Sequence, residues 1–141
     1  MARVTTTKHG VQVQGGSLRM GANLRVTFQR TLRIPDDGKR YPLPPGLGEF
    51  PLHRIEDYRS AVPDAWKDHG GVFMPLWQRE ALWLSFQGTR PAVAVKVGVG
   101  KVNALSGLPW DAALHGPRDG EQDYLVAPRQ PWLTASTSAR A

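Results

Sequence analysis

The chain contains no cysteine, which excludes disulfides, thiolate zinc sites, iron–sulfur ligation and cysteine nucleophiles together. Four scattered histidines are the only nitrogen ligands, so no metal site and no cofactor are expected. No apolar run approaches the roughly 20 residues a membrane helix needs. The longest candidate, Pro91 to Val99, is short and has Lys96 at its middle. The positive start and apolar stretch of a secretory signal are also missing. Met1 to Arg19 holds a run of threonines and then valines alternating with glutamines. The sequence therefore reads as a soluble, cytoplasmic protein.

Isoleucine is nearly absent, with 2 against 12 valines, and Leu, Ile, Val and Phe together make 32 of 141 residues. That lies just above the share of roughly 20% below which chains stay disordered. Glycine and proline are plentiful, at 15 and 12. The net charge of +6 is unevenly spread: residues 1–40 hold eight cations against Asp36 and Asp37, and the remainder is balanced.

Leu24, Val26, Phe28, Leu32 and Ile34 share one parity and Arg25, Thr27, Gln29, Thr31 and Arg33 the other, which predicts a long strand with one solvent face. Shorter alternations predict strands at Gly10 to Gln14, Glu80 to Phe86, Pro91 to Lys101 and Tyr124 to Ala127. Trp83 stands on the second face of the Glu80 strand, so both of its faces are expected to be covered. Gly15-Gly16-Ser17 and Gly21-Ala22-Asn23 read as turns. Tyr41 to Gly48 is too rich in proline for ladder or helix and reads as an extended surface loop. The spacing of Leu52, Ile55 and Tyr58, and the proline-in, glycine-out frame of Pro63 to Gly71, predict two short helical segments. The fold expected is all-β or β-dominated, a small antiparallel sandwich or distorted barrel, as one domain over 1–133 with a disordered tail over 134–141.

Chemical motifs are weak. Val97 to Asn103 invites a phosphate-loop reading, but Val95 and Val102 stand where Walker A needs glycine and a hydroxyl. A strand ending in a glycine hairpin is the simpler reading. Lys39-Arg40-Tyr41-Pro42-Leu43-Pro44-Pro45 has a cation-x-x-Pro-x-x-Pro spacing that packed loops also produce. His53, Asp57 and His69 supply too few dependable ligands for a metal. Ser17, Ser85 and Ser106 lack a nucleophile elbow, so the sequence leans away from an enzyme. Two candidate surfaces remain. Arg25, Arg33, Lys39 and Arg40 form a basic set suited to a nucleic acid or other polyanion. Lys96, Trp110 and Trp132 are candidate ligand or partner contacts, the tryptophans because each follows a proline in a loop.

Gln78 to Phe86, with Arg79-Glu80-Ala81 and Trp83, then Ala94 to Trp110, with Asn103-Ala104-x-Ser106-Gly107-x-Pro109-Trp110, then Gln122-Asp123-Tyr124 to Gln130-Pro131-Trp132-Leu133, resemble a family of uncharacterised bacterial proteins. The resemblance covers roughly residues 72–133, more loosely 24–52, and implies no activity. Family members continue beyond the Gln-Pro-Trp-Leu segment, so it implies that this chain is a shortened form. The function expected is that of a partner-binding or accessory domain, its partner another protein or a second copy at an open strand edge. The alternatives are a polyanion binder and a small-ligand binder or enzyme.

Overall fold

The computed structural model describes residues 4–8, 10–42, 44–78, 80–116, 118, 120, 122–130 and 132–133; the expected tail at 134–141 lies outside them. Its centre is one antiparallel ladder. Strand β4 (Leu24–Thr31) pairs along its whole length with β7 (Ala81–Gly88), from Leu24 opposite Gly88 to Thr31 opposite Ala81. Around this pair β1 (Val4–Thr6), β2 (Gln12–Gln14), β3 (Ser17–Met20) and β12 (Trp132–Leu133) complete a sheet in the order β1-β2-β3-β4-β7-β12. Among the described residues the sheet is open and not a barrel, because β1 and β12 are its two ends.

Period two explains the core. Val13, Leu18, Leu24, Val26 and Phe86 are buried in one cluster with Leu52, Leu125 and Ala127. The last two belong to β11 (Leu125–Ala127), which pairs with β8 (Val93–Val95) as a second layer. Gly88 allows the layers to meet, since a Cβ there would lie 3.1 Å from Ala127. Leu52 precedes a further small ladder, β5 (His53–Arg54) with β6 (Val72–Phe73). Between these lie a 3-10 turn, Ile55–Tyr58, and the helix α1, Asp64–His69, entered from Pro63 and left through Gly70 at φ 67°. The result is a strand-dominated, sandwich-like fold. Among the described residues, no helix is long and apolar enough to cross a membrane.

The second face of β4 is not the solvent face that alternation suggests. Thr27 is 0% exposed and Thr31 is also buried. The proline-rich loop covers the Thr31 end: the Thr31 hydroxyl donates to Pro45 O at 3.0 Å, and Gly46 sits against Gln29 and Trp83, while Thr27 Oγ1 accepts from Gln29 Nε2 at 2.9 Å. Beyond Thr27, where β3 ends, residues 47–50 take its place beside β4. Arg30 N donates to Gly48 O, Leu47 N to Arg30 O and Phe50 N to Phe28 O, at 2.7–2.8 Å. Backbone donors of a covered strand need partners, and this loop supplies them. Trp83 is half-buried beneath the loop, as expected for a strand covered on both faces. The strand also stops at Thr31, leaving Leu32 and Ile34 exposed.

Phe86 is buried where the layers meet, so Phe86→Ala should lower the free energy of unfolding by about 3–5 kcal/mol. Urea titration measures the loss, and a change under about 1 kcal/mol would contradict this placement of the core.

Candidate functional site

The segment expected to form one strand from Pro91 onward breaks at Lys96-Val97 into β8 and β9 (Gly98–Val99). The small-residue face carries Lys96, and the break turns its side chain inward until it is only 7% exposed. A long cation taken from water needs partners for all three ammonium hydrogens. Lys96 Nζ finds Asp123 Oδ2 at 2.6 Å, Asp111 Oδ1 at 3.1 Å and the Ala113 carbonyl.

The carboxylates are fixed in turn. Asp123 Oδ1 accepts from the His115 amide at 2.9 Å, and Asp111 Oδ1 from the Ala113 amide at 2.8 Å. Asp111 Oδ2 lies 3.0 Å from His115 Nε2. Asn103, buried at the end of β10 (Val102–Asn103), donates through Nδ2 to Asp123 O at 2.8 Å. Its Oδ1 caps the next turn by accepting from Leu105 N and Ser106 N. The Lys96 ammonium therefore joins the end of β8 to the 111–115 loop and to the approach to β11.

The charges hold one another ionised. Burial pushes Lys96 down, but hydrogen bonds to Asp123 and Asp111 outweigh it and raise its pKa. Asp111 is lowered by the hydrogen bond from Lys96 and then by His115. Burial raises Asp123, and the Lys96 and His115 contacts more than reverse this. A lysine held protonated and two carboxylates held ionised are poor proton shuttles at neutral pH. Asp111, His115 and Asp123 offer ligand atoms within 4.8 Å of one another, the only such group among the described residues. The Lys96 ammonium already lies between the carboxylates, so a divalent cation at this spot would face a fixed positive charge. The arrangement acts as a clamp.

What it holds is a hairpin. β9 and β10 pair through Val99 opposite Val102, and the turn residues Gly100 and Lys101 have φ 56° and 67°. Positive φ at both central residues is the turn whose twist suits a two-residue hairpin, so the Val97–Asn103 segment is a glycine hairpin, as expected. The chain returns beside β10, with Pro109 bridging to Val102 and Trp110 N donating to Lys101 O at 2.8 Å. The Trp110 ring lies on Gly98, where a Cβ would come within 2.7 Å of Cε3, and its centroid is 5.3 Å from Lys96 Nζ. Cross-strand partners share a face, so Val99, Val102 and Pro109 lie together on the side opposite Gly98 and Asn103.

Of the candidate contacts, Lys96 and Trp110 meet, while Trp132 is placed only by its backbone beside Ser85. Asp111, Asp123, His115 and Asn103 were not anticipated; the one hint was a lysine inside an apolar strand. The basic set is dispersed in its pairing. Arg25 is engaged by Glu49 and Gln87, and Lys39 lies 3.6 Å from Asp37. Arg33 and Arg40 are exposed. His53 pairs with Tyr58 and Asp57 with Arg54. No protein-family model matches the chain, and neither a curated protein nor a solved structure shows significant similarity to it.

The clamp has a pH signature. The depressed carboxylate pKa values contribute stability above their ordinary value of about 4, and this is lost as pH falls through the folded values. The raised lysine pKa contributes below about 10.5 and is lost above it. Lys96→Met leaves two carboxylates facing each other, which raises their pKa values and makes acid relieve the strain between them. The melting-temperature gap between wild type and Lys96→Met should narrow as pH falls from 7 toward about 3. Parallel curves would show that the cluster carries no such charge coupling.

Proposed function

We propose that this chain is a partner-binding domain whose partner is a second copy of itself, held weakly through the exposed apolar side chains of the 98–110 hairpin. The observation that carries this reading is exposure. Val99 is 68%, Leu108 64%, Val102 42% and Trp110 41% exposed. Val99 and Val102 lie on one side of the hairpin and Leu108 and Trp110 on the other; the two sides together present on the order of 400 Å² of apolar surface, within the range of the largest patches on monomers. Two such hairpins, even with both sides engaged, bury no more than about 800 Å², well short of the roughly 1,200–2,000 Å² of a stable complex. The association is accordingly transient.

Val99, Val102 and Pro109 bring no charge to the centre of the face, so two copies can oppose it without like-charge repulsion at close range. Strand addition at this hairpin is disfavoured because its outer edge is blunted by Pro109, which has no N–H to donate. Among the described residues the sheet ends are short, with three residues in β1 and two in β12. Side-chain contact is therefore the favoured mode over edge pairing. The net charge of +6 opposes dimerisation and comes from residues 1–40, so added salt strengthens it. A polyanion complex would respond to salt in the opposite direction. The resemblance of residues 72–133 to the bacterial family fits this reading, because its motif residues Asn103, Pro109 and Trp110 build the hairpin and its clamp.

Sedimentation equilibrium up to about 1 mM protein, the regime of weak association, should show a reversible dimer. The dimer should strengthen with salt and disappear in Val99→Asp/Leu108→Asp, whose circular dichroism stays unchanged because both side chains are exposed. A wild type that remains monomeric, or a dimer indifferent to these substitutions, would overturn the reading.

A further inference from the structure

On the β1–β2 side of the molecule a second feature stands apart from the hairpin. A pocket of about 400 Å³ opens between Thr5 on β1 and the His53, Arg54, Asp57 and Tyr58 side chains of β5 and the 3-10 turn, with Val13 as an apolar wall. Its size is at the small end of small-molecule sites.

Arg54 is charge-balanced but not satisfied in hydrogen bonding. Its guanidinium stands 3.6 Å from Glu56 Oε2 through Nε and 3.4 Å from Asp57 Oδ1 through Nη2. Both Arg54 Nε and Glu56 Oε2 are buried without a hydrogen-bond partner among the described residues. Glu56 stays ionised, since burial raises its pKa but the Lys8 amide and the charges of Arg54 and Lys8 lower it further. Glu56 stands behind Arg54 and outside the lining, so a free anion entering here would meet the Asp57 carboxylate and a free cation would meet Arg54. A neutral ligand with adjacent hydroxyls avoids both penalties, accepting from the guanidinium and donating to Asp57.

The aromatic side supports the same chemistry. The Tyr58 ring is edge-on to Phe73 and to His53, with centroids at 5.2 and 5.4 Å, and its hydroxyl lies 3.1 Å from His53 Nδ1. It remains partly open to solvent. A rigid, half-exposed ring beside an arginine–carboxylate pair offers stacking for C–H faces and hydrogen bonds for hydroxyls. We propose that this pocket binds a neutral polyhydroxylated molecule of monosaccharide size.

The test is ligand-observed NMR and calorimetry on the full chain with D-glucose, D-galactose, D-mannose, D-ribose and myo-inositol as probes, and with acetate and glutamate as charged controls. Saturable binding of at least one polyol, with Kd about 1 mM, is expected. It should weaken about tenfold or more in Asp57→Asn, a substitution at a largely exposed side chain, and in Tyr58→Ala. Glu49→Gln, on another element, should leave it unchanged. No saturation by any of the five polyols would overturn the proposal. So would preferential binding of acetate or glutamate, or an affinity indifferent to Asp57→Asn.

Discussion

The constraint on which the rest depends is that the β4–β7 ladder is covered on its inner face and, around Thr27 and Thr31, on its outer face as well. Its inner face is apolar by alternation and closes against β8 and β11. Its outer face is threonine and glutamine, which cannot be buried without partners for hydroxyl, amide and backbone. The chain answers with the proline-rich loop, whose carbonyls accept from Thr31 and whose 47–50 stretch continues the ladder where β3 stops. Proline serves well here, since a segment with few donors of its own can supply acceptors and lose little conformational freedom in being laid down. On the opposite face, beyond Phe28, Arg30 lies 4.5 Å above the Phe50 ring and pairs with Glu80 at 2.9 Å.

Where the sheet is sealed by apolar packing, the 96–123 region is sealed by charge. The two solutions differ in kind. Apolar burial is indifferent to direction, whereas the Lys96 ammonium accepts only partners placed along its three N–H bonds. That directional demand sets the loop carrying Asp111 and Ala113 and the approach to β11 at Asp123 relative to β8. It also leaves the hairpin beyond Lys96 free to turn its valines outward, because the loop's position does not depend on burying them.

Much of the architecture was legible. Alternation found β4, β7 and β8; the glycine pair around Val99 found the hairpin; Pro63 and Gly70 bracketed α1. β3 escaped because four residues between two glycine turns carry too little pattern to separate strand from linker, and β1 has only three. The burial of Thr27 and Thr31 escaped because it is imposed by neighbouring strands and, at Thr31, by a loop distant in sequence, and alternation describes one strand without its neighbours. The clamp was illegible for a related reason. Lys96, Asp111 and Asp123 sit on separate segments with no common period, and an ion pair leaves no local trace. The pocket is equally invisible, since Thr5 meets Tyr58 only through tertiary packing.

Gly98 and Trp110 form a single steric unit. The indole occupies the volume in which any side chain at position 98 would begin, with Cε3 2.7 Å from that point. A lineage could change the glycine only after shrinking the tryptophan. Shrinking the tryptophan first would uncover the Lys96 ammonium beneath it. Drift at these two positions is thereby locked, and homologues that differ at one of them should be found to differ at the other.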